Sequence, residues 1–191
     1  MLRHAEASAI VEHAYNDKAI LEQRNVLTEE LYEDTLRLYK SADHPTLDSV
    51  LEAKPEKLEL IMDETKQILT PMVQKEAVIK HSLVHKVFLD FFTSAPPKFR
   101  SELIEAIGEA VVYLVPAHTH EGARVAIHCL EAWYAQGQES NCENNEDLRR
   151  DGETVANGQY APLVLLVAFN YIDDTKLVKQ ISISEMISSS T

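Results

Sequence analysis

Apolar residues recur along this chain at the three- and four-residue spacing that puts them on one face of an α-helix. The segment PEKLELIMDETKQIL places Leu58, Ile61, Met62, Ile68 and Leu69 on one such stripe, headed by Pro55. PPKFRSELIEAIGEAVVYLV repeats the design from Pro96 with Phe99, Leu103, Ile104, Ile107 and Val111. DDTKLVKQISISEMI repeats it from Asp173 with Leu177, Val178, Ile181 and Ile183. Pro or Asp at the head suits a helix start, where the first N–H groups have no intrahelical partner. A shorter helix precedes each: AEASAIVEHAYND, HPTLDSVLEA, HSLVHKVFLDFFTS, HEGARVAIHCL and GQYAPLVLLVAFNYI. Aligned on their apolar pairs, these put Ser8, His85, Ala123 and Pro162 in register, with separations of 77, 38 and 39 residues. A weaker member around Leu47 fills the longest gap. Helices repeating about every 38 residues predict an all-α fold, an α-solenoid, over residues 1–191.

Composition agrees. Five Gly and seven Pro are few, so a turn-rich β fold is disfavoured. Two Cys cannot make a disulfide framework for this length, which fits a reducing compartment. The start, MLRHAEASAI, has no apolar signal-peptide core. The longest apolar run, APLVLLVAF at 161–169, is far shorter than the ~20 residues of a membrane helix. The expectation is a soluble intracellular protein with no membrane partner. A net charge of −13 argues on its face against nucleic acid. Spacing alone fits HEAT or armadillo repeats as well as any other helical repeat.

The register residues narrow that choice. SAIVE at 8–12, HKVFL at 85–89, ARVAI at 123–127 and PLVLL at 162–166 stand where Puf repeats carry the motif that faces RNA. The long strings IKHSLVHKVFLDFFTSAPPKFRSELIEAI and HTHEGARVAIHCL resemble the nucleolar Pumilio-like, Puf-A-type family, and the likeness covers nearly everything outside 131–153. That resemblance implies a solenoid of three-helix Pumilio repeats, about four to five here with one degraded, and an internal piece of a longer protein. It further implies binding of RNA, and of DNA, with weak sequence preference. The implied setting is the nucleolus and nucleus, on pre-ribosomal particles, in ribosome biogenesis and regulation of translation. No enzyme activity, cofactor or small-molecule substrate is implied.

The residues at the reading positions suit weak base discrimination. Ser8 and Glu12 can supply one base-edge pair, with Ala9 between them where a stacking side chain belongs. His85 and Lys86 can touch base or phosphate, but Leu89 offers no hydrogen bond. Arg124 can stack or bind phosphate between the mute Ala123 and Ile127, and Pro162, Leu163 and Leu166 have no polar reach. Backbone contact is therefore the expected mode. The candidate phosphate contacts are Lys80, His81, His85 and Lys86 on one helix, and His118, His120, Arg124 and His128 on another. The competing reading is a helical-repeat protein scaffold that binds no nucleic acid.

One stretch breaks the pattern. A helix is due near 136, yet AWYAQGQESNCENNEDLRRDG at 132–152 is polar, acidic and aperiodic. As written, 131–153 is expected to form a disordered loop. A one-base shift of a coding string permitted for it reads HGTPKDRKVIVKTMKTYVEM, a basic segment with the missing apolar spacing. The stretch is therefore read as out of frame, which weakens the acidic total as an argument against nucleic acid. His118, His120, His128 and Cys129 suggest metal, but no Cys-x-x-Cys pair accompanies them and no metal is expected. No catalytic fingerprint is present.

Overall fold

The apolar stripe of PEKLELIMDETKQIL becomes helix α5, Leu58–Val73, which buries Ile61, Met62, Thr65, Ile68, Leu69, Met72 and Val73. The computed structural model describes residues 5–43, 46–108 and 119–135. Two compact units divide the chain, Met1–Ile107 and Gly108–Thr191. In the first, α1 (Ala5–His13) widens into a π turn (Ala14–Lys18) and is followed by α2 (Leu21–Glu29) and α3 (Glu33–Tyr39). Then come α4 (Leu47–Ala53), a 3₁₀ turn (Pro55–Lys57), α5, the short α6 (Glu76–Ile79), α7 (Ser82–Ser94) and α8 (Pro97–Ile107). The second unit contributes α9, His120–Ala135. No strand occurs among the described residues.

Local chemistry sets the helix ends. Thr46 caps α4 reciprocally with Ser49: each backbone N–H donates to the other's hydroxyl, at 3.0 and 3.4 Å. Ala95 is extended (φ −70, ψ 146) because Pro96 disfavours helical backbone in the residue before it, and this stops α7. Gly108 closes α8 at φ +42, a conformation in which a Cβ would be strained.

Helix α7 is the centre of the first unit. It buries Leu83, Val84, His85, Val87, Phe88, Leu89, Phe91 and Phe92, so only a narrow side carrying Lys86, Asp90 and Thr93 reaches solvent. A helix apolar around most of its girth must be surrounded. α2, α5, α6 and the π turn all pack on it, while α5 also packs on α3 and α8. Phe91 and Phe92 meet edge to face at 5.9 Å.

The packing corrects one expectation. Even stacking would interpose the Leu47 member between the Ser8 and His85 members. Instead Glu12 on α1 and Asn16 on the π turn bond directly to Ser82 of α7, and Tyr32 bonds to Asp90. α4, only seven residues long before Lys54 and Pro55 end it, is too short to fill a layer of its own. α2, α3 and α6 were also missed by the spacing. α2 buries only Thr28, so it has no apolar stripe to read. The stretch expected as a loop from 131 begins as helix: α9 runs through Ala135, consistent with the absence of Gly or Pro from 131 to 136. The rest of 131–153, the apolar Val111, and the helices expected around 162 and 173 lie outside the described residues.

Candidate nucleic-acid interface

The candidate residues differ sharply in what the fold leaves them free to do. Ser8 is 1% exposed and His85 is 0% exposed. The His85 Nε2 lies 2.6 Å from the carbonyl oxygen of Ile79, tying α7 to α6. Neither side chain is accessible to a base edge, so both expected contacts are corrected to core positions. Their burial follows from position: each lies on the face of its helix that turns inward.

Glu12 is occupied too. Its Oε1 accepts from the Ser82 backbone N–H at 2.8 Å, from the Ser82 hydroxyl and from Asn16 Nδ2 at 2.8 Å. A carboxylate there satisfies one of the unpaired N–H groups that open α7 and complements the positive end of its dipole. Of the base-edge pair read from Ser8 and Glu12, Glu12 is therefore an internal brace and Ser8 is buried. His81, the residue before α7, sits beside the same carboxylate, with Nδ1 3.6 Å from Glu12 Oε2, and its side chain is 12% exposed.

Lys86 reaches the surface but pairs with Asp90 one turn along α7, and Asp90 Oδ2 also accepts the Tyr32 hydroxyl at 2.6 Å. Burial holds the Tyr32 phenol well above its ordinary pKa, and the neighbouring Asp90 carboxylate raises it further. Lys80 stands exposed at the C-terminal end of α6. In the second unit His120, Arg124 and His128 follow one another at four-residue intervals on α9, along one face. His120 and Arg124 are exposed, and His128 is half-buried with Nδ1 3.7 Å from Glu131 Oε2. Ala123, Val125, Ala126 and Cys129 are buried. His118 lies outside the described residues.

Among the described residues no cluster of three metal-ligating side chains occurs. Burial pushes the Cys129 thiol up, away from the thiolate a metal would need. Sequence reasoning missed two lysines, Lys54 and Lys57, whose ammonium groups lie over the ring of Tyr39. Their signal was present as Lys-Pro-Glu-Lys at a helix end, but nothing in the sequence brings Tyr39 to it.

No family model matches the chain. It is 74% identical over 189 residues to Pumilio homolog 3 of Homo sapiens and 63% identical to that of Danio rerio. The crystal structure of human Puf-A superposes with a TM-score of 0.87 at 73% identity, over 98% of this chain and 36% of that one. The chain matches a Puf-A-type, Pumilio-like segment. The Puf-A likeness covers 99% of this chain but only 28% of the human relative, so the chain spans little more than a quarter of it. Its structural neighbour is a Pumilio-repeat helical solenoid, the all-α class expected from the 38-residue period. Human Puf-A has also been solved in complex with DNA, and that structure superposes with a TM-score of 0.86 over 99% of this chain.

Proposed function

We propose that this chain binds nucleic acid with little sequence preference, RNA foremost and DNA as well, through phosphate contacts rather than base reading. The observation that carries the reading is the complex of human Puf-A with DNA, in a protein 73% identical over nearly all of this chain. The side chains support the mode. The residues that would read bases, Ser8 and His85, are buried, whereas the candidates Lys80, His120 and Arg124 are exposed and carry basic side chains. Lys86 and His128 contribute from the surface beside their own carboxylates. The setting we propose, by resemblance, is the nucleolus, on pre-ribosomal particles.

Titrating the whole chain against labelled hairpin RNA, single-stranded RNA and duplex DNA at rising salt tests this. Charge reversal at Lys86 and Arg124 together is expected to weaken binding. It should also lower the slope of log affinity against log salt by about 1.4, at ~0.7 per single-strand phosphate contact. Binding absent, or indifferent to salt, would leave the protein scaffold as the surviving reading.

A further inference from the structure

We infer a second phosphate-binding site on the first unit, formed by Lys54 and Lys57 over Tyr39, that takes the phosphodiester backbone of a single strand. It rests on the nucleic-acid reading above and uses none of the residues assigned there. Lys54 ends α4, and its position at the carbonyl end of that helix favours a positive charge. The 3₁₀ turn Pro55–Lys57 follows, closed by the Lys57 N–H donating to the Lys54 carbonyl at 3.0 Å. A 3₁₀ turn has three residues per turn, so residues i and i+3 eclipse and both lysines fall on the same side. Pro55 fixes the backbone that brings this about.

Both side chains then meet the ring of Tyr39, the last residue of α3. Lys54 Nζ lies 4.2 Å from the ring centroid and Lys57 Nζ 5.4 Å. The two ammonium groups are therefore no more than about 10 Å apart, within reach of neighbouring phosphates on one strand. All three side chains are half-exposed. A chain with 31 acids and a net charge of −13 has carboxylates to spare, and Lys40 beside Tyr39 takes Glu29 at 2.5 Å. Yet among the described residues neither Lys54 nor Lys57 forms an ion pair, although Glu52 and Glu56 adjoin them in sequence. A packing clamp over a tyrosine needs one lysine. Two like charges on one ring repel unless an anion joins them. Each ammonium has three N–H donors, so a phosphate can be taken without giving up the ring. Cations interleaved with an aromatic face are how single strands are tracked without reading sequence.

The test uses the whole chain with single-stranded RNA and DNA oligonucleotides of one sequence. Lysine acetylation of the wild-type chain, read by mass spectrometry, should slow several-fold at Lys54 and Lys57 when oligonucleotide is present. Lys54→Gln with Lys57→Gln removes both charges and leaves a shorter, neutral polar side chain at each position. It should lower the salt slope by about 1.4 and weaken binding roughly tenfold near physiological salt, equally for RNA and DNA. Tight wild-type binding with unchanged acetylation and an unchanged double variant would overturn this site and leave the broader reading intact. A loss confined to RNA would also overturn it, because a phosphodiester contact is shared. If the wild-type chain binds neither oligonucleotide, both readings fall together.

Discussion

Replacing Tyr32 by Phe removes a single oxygen from the interior and leaves the ring to fill the same space. That oxygen donates to Asp90 Oδ2 at 2.6 Å and joins the segment before α3 to the centre of α7. A hydrogen bond to an ionised acceptor contributes about 1.5–3 kcal/mol. Asp90 keeps Lys86 after the substitution and its side chain is 21% exposed, so the lower end, about 1.5 kcal/mol, applies. With a urea dependence of ~2 kcal/mol per molar, the unfolding midpoint should fall by roughly 0.7 M, followed by far-UV circular dichroism. The pH dependence carries a sign. The folded phenol titrates well above its ordinary value of 10.0, so below that value both states keep the proton and the full stability is present. As pH climbs past about 10, the unfolded chain ionises first and stability is lost through the folded pKa. Wild type should thus lose stability faster than Tyr32→Phe in alkali, and the gap between them should close. A midpoint shift below about 0.2 M, or parallel alkaline profiles, would refute the assignment.

Glu12→Ala should cost about 1 kcal/mol by stripping the carboxylate from the first turn of α7, and amide exchange at Ser82 should quicken. Unchanged protection there would show that the brace contributes nothing. In a Cys142→Ser background, Cys129 should resist thiol reagents at neutral pH until the protein unfolds, because burial disfavours its thiolate. Rapid labelling of the native chain would contradict that burial.

How much of this was legible beforehand depended on which force had written the pattern. α5, α7, α8 and α9 each bury a face, so their apolar spacing announced them, and the period between them pointed to a solenoid. α2 and α3 hold on through neighbours and through Leu36 and Thr28, which leaves little periodic trace. At the site, charge type was readable but availability was not. Nothing in SAIVE distinguishes a Ser8 that reads a base from one packed in the core. Likewise, nothing in HKVFL shows that His85 is turned toward Ile79 while Lys86 is turned out. The lysines over Tyr39 were invisible because the ring arrives from 15 residues upstream of Lys54, through packing of α3 on α4.

The direct bracing of α1 and of the residue before α3 onto α7 also sets an order of events during synthesis. The Glu12–Ser82 bond joins residues 70 apart, and the Tyr32–Asp90 bond joins residues 58 apart. At ~5–20 residues per second, Glu12 waits roughly 4–14 s for its partner to be made. A repeat array whose layers touch only their neighbours can accrete one layer at a time. Here α3 can settle on α5 earlier, but Glu12 and Tyr32 have no bonding partners until α7 has emerged, so these two braces close late, on the central helix.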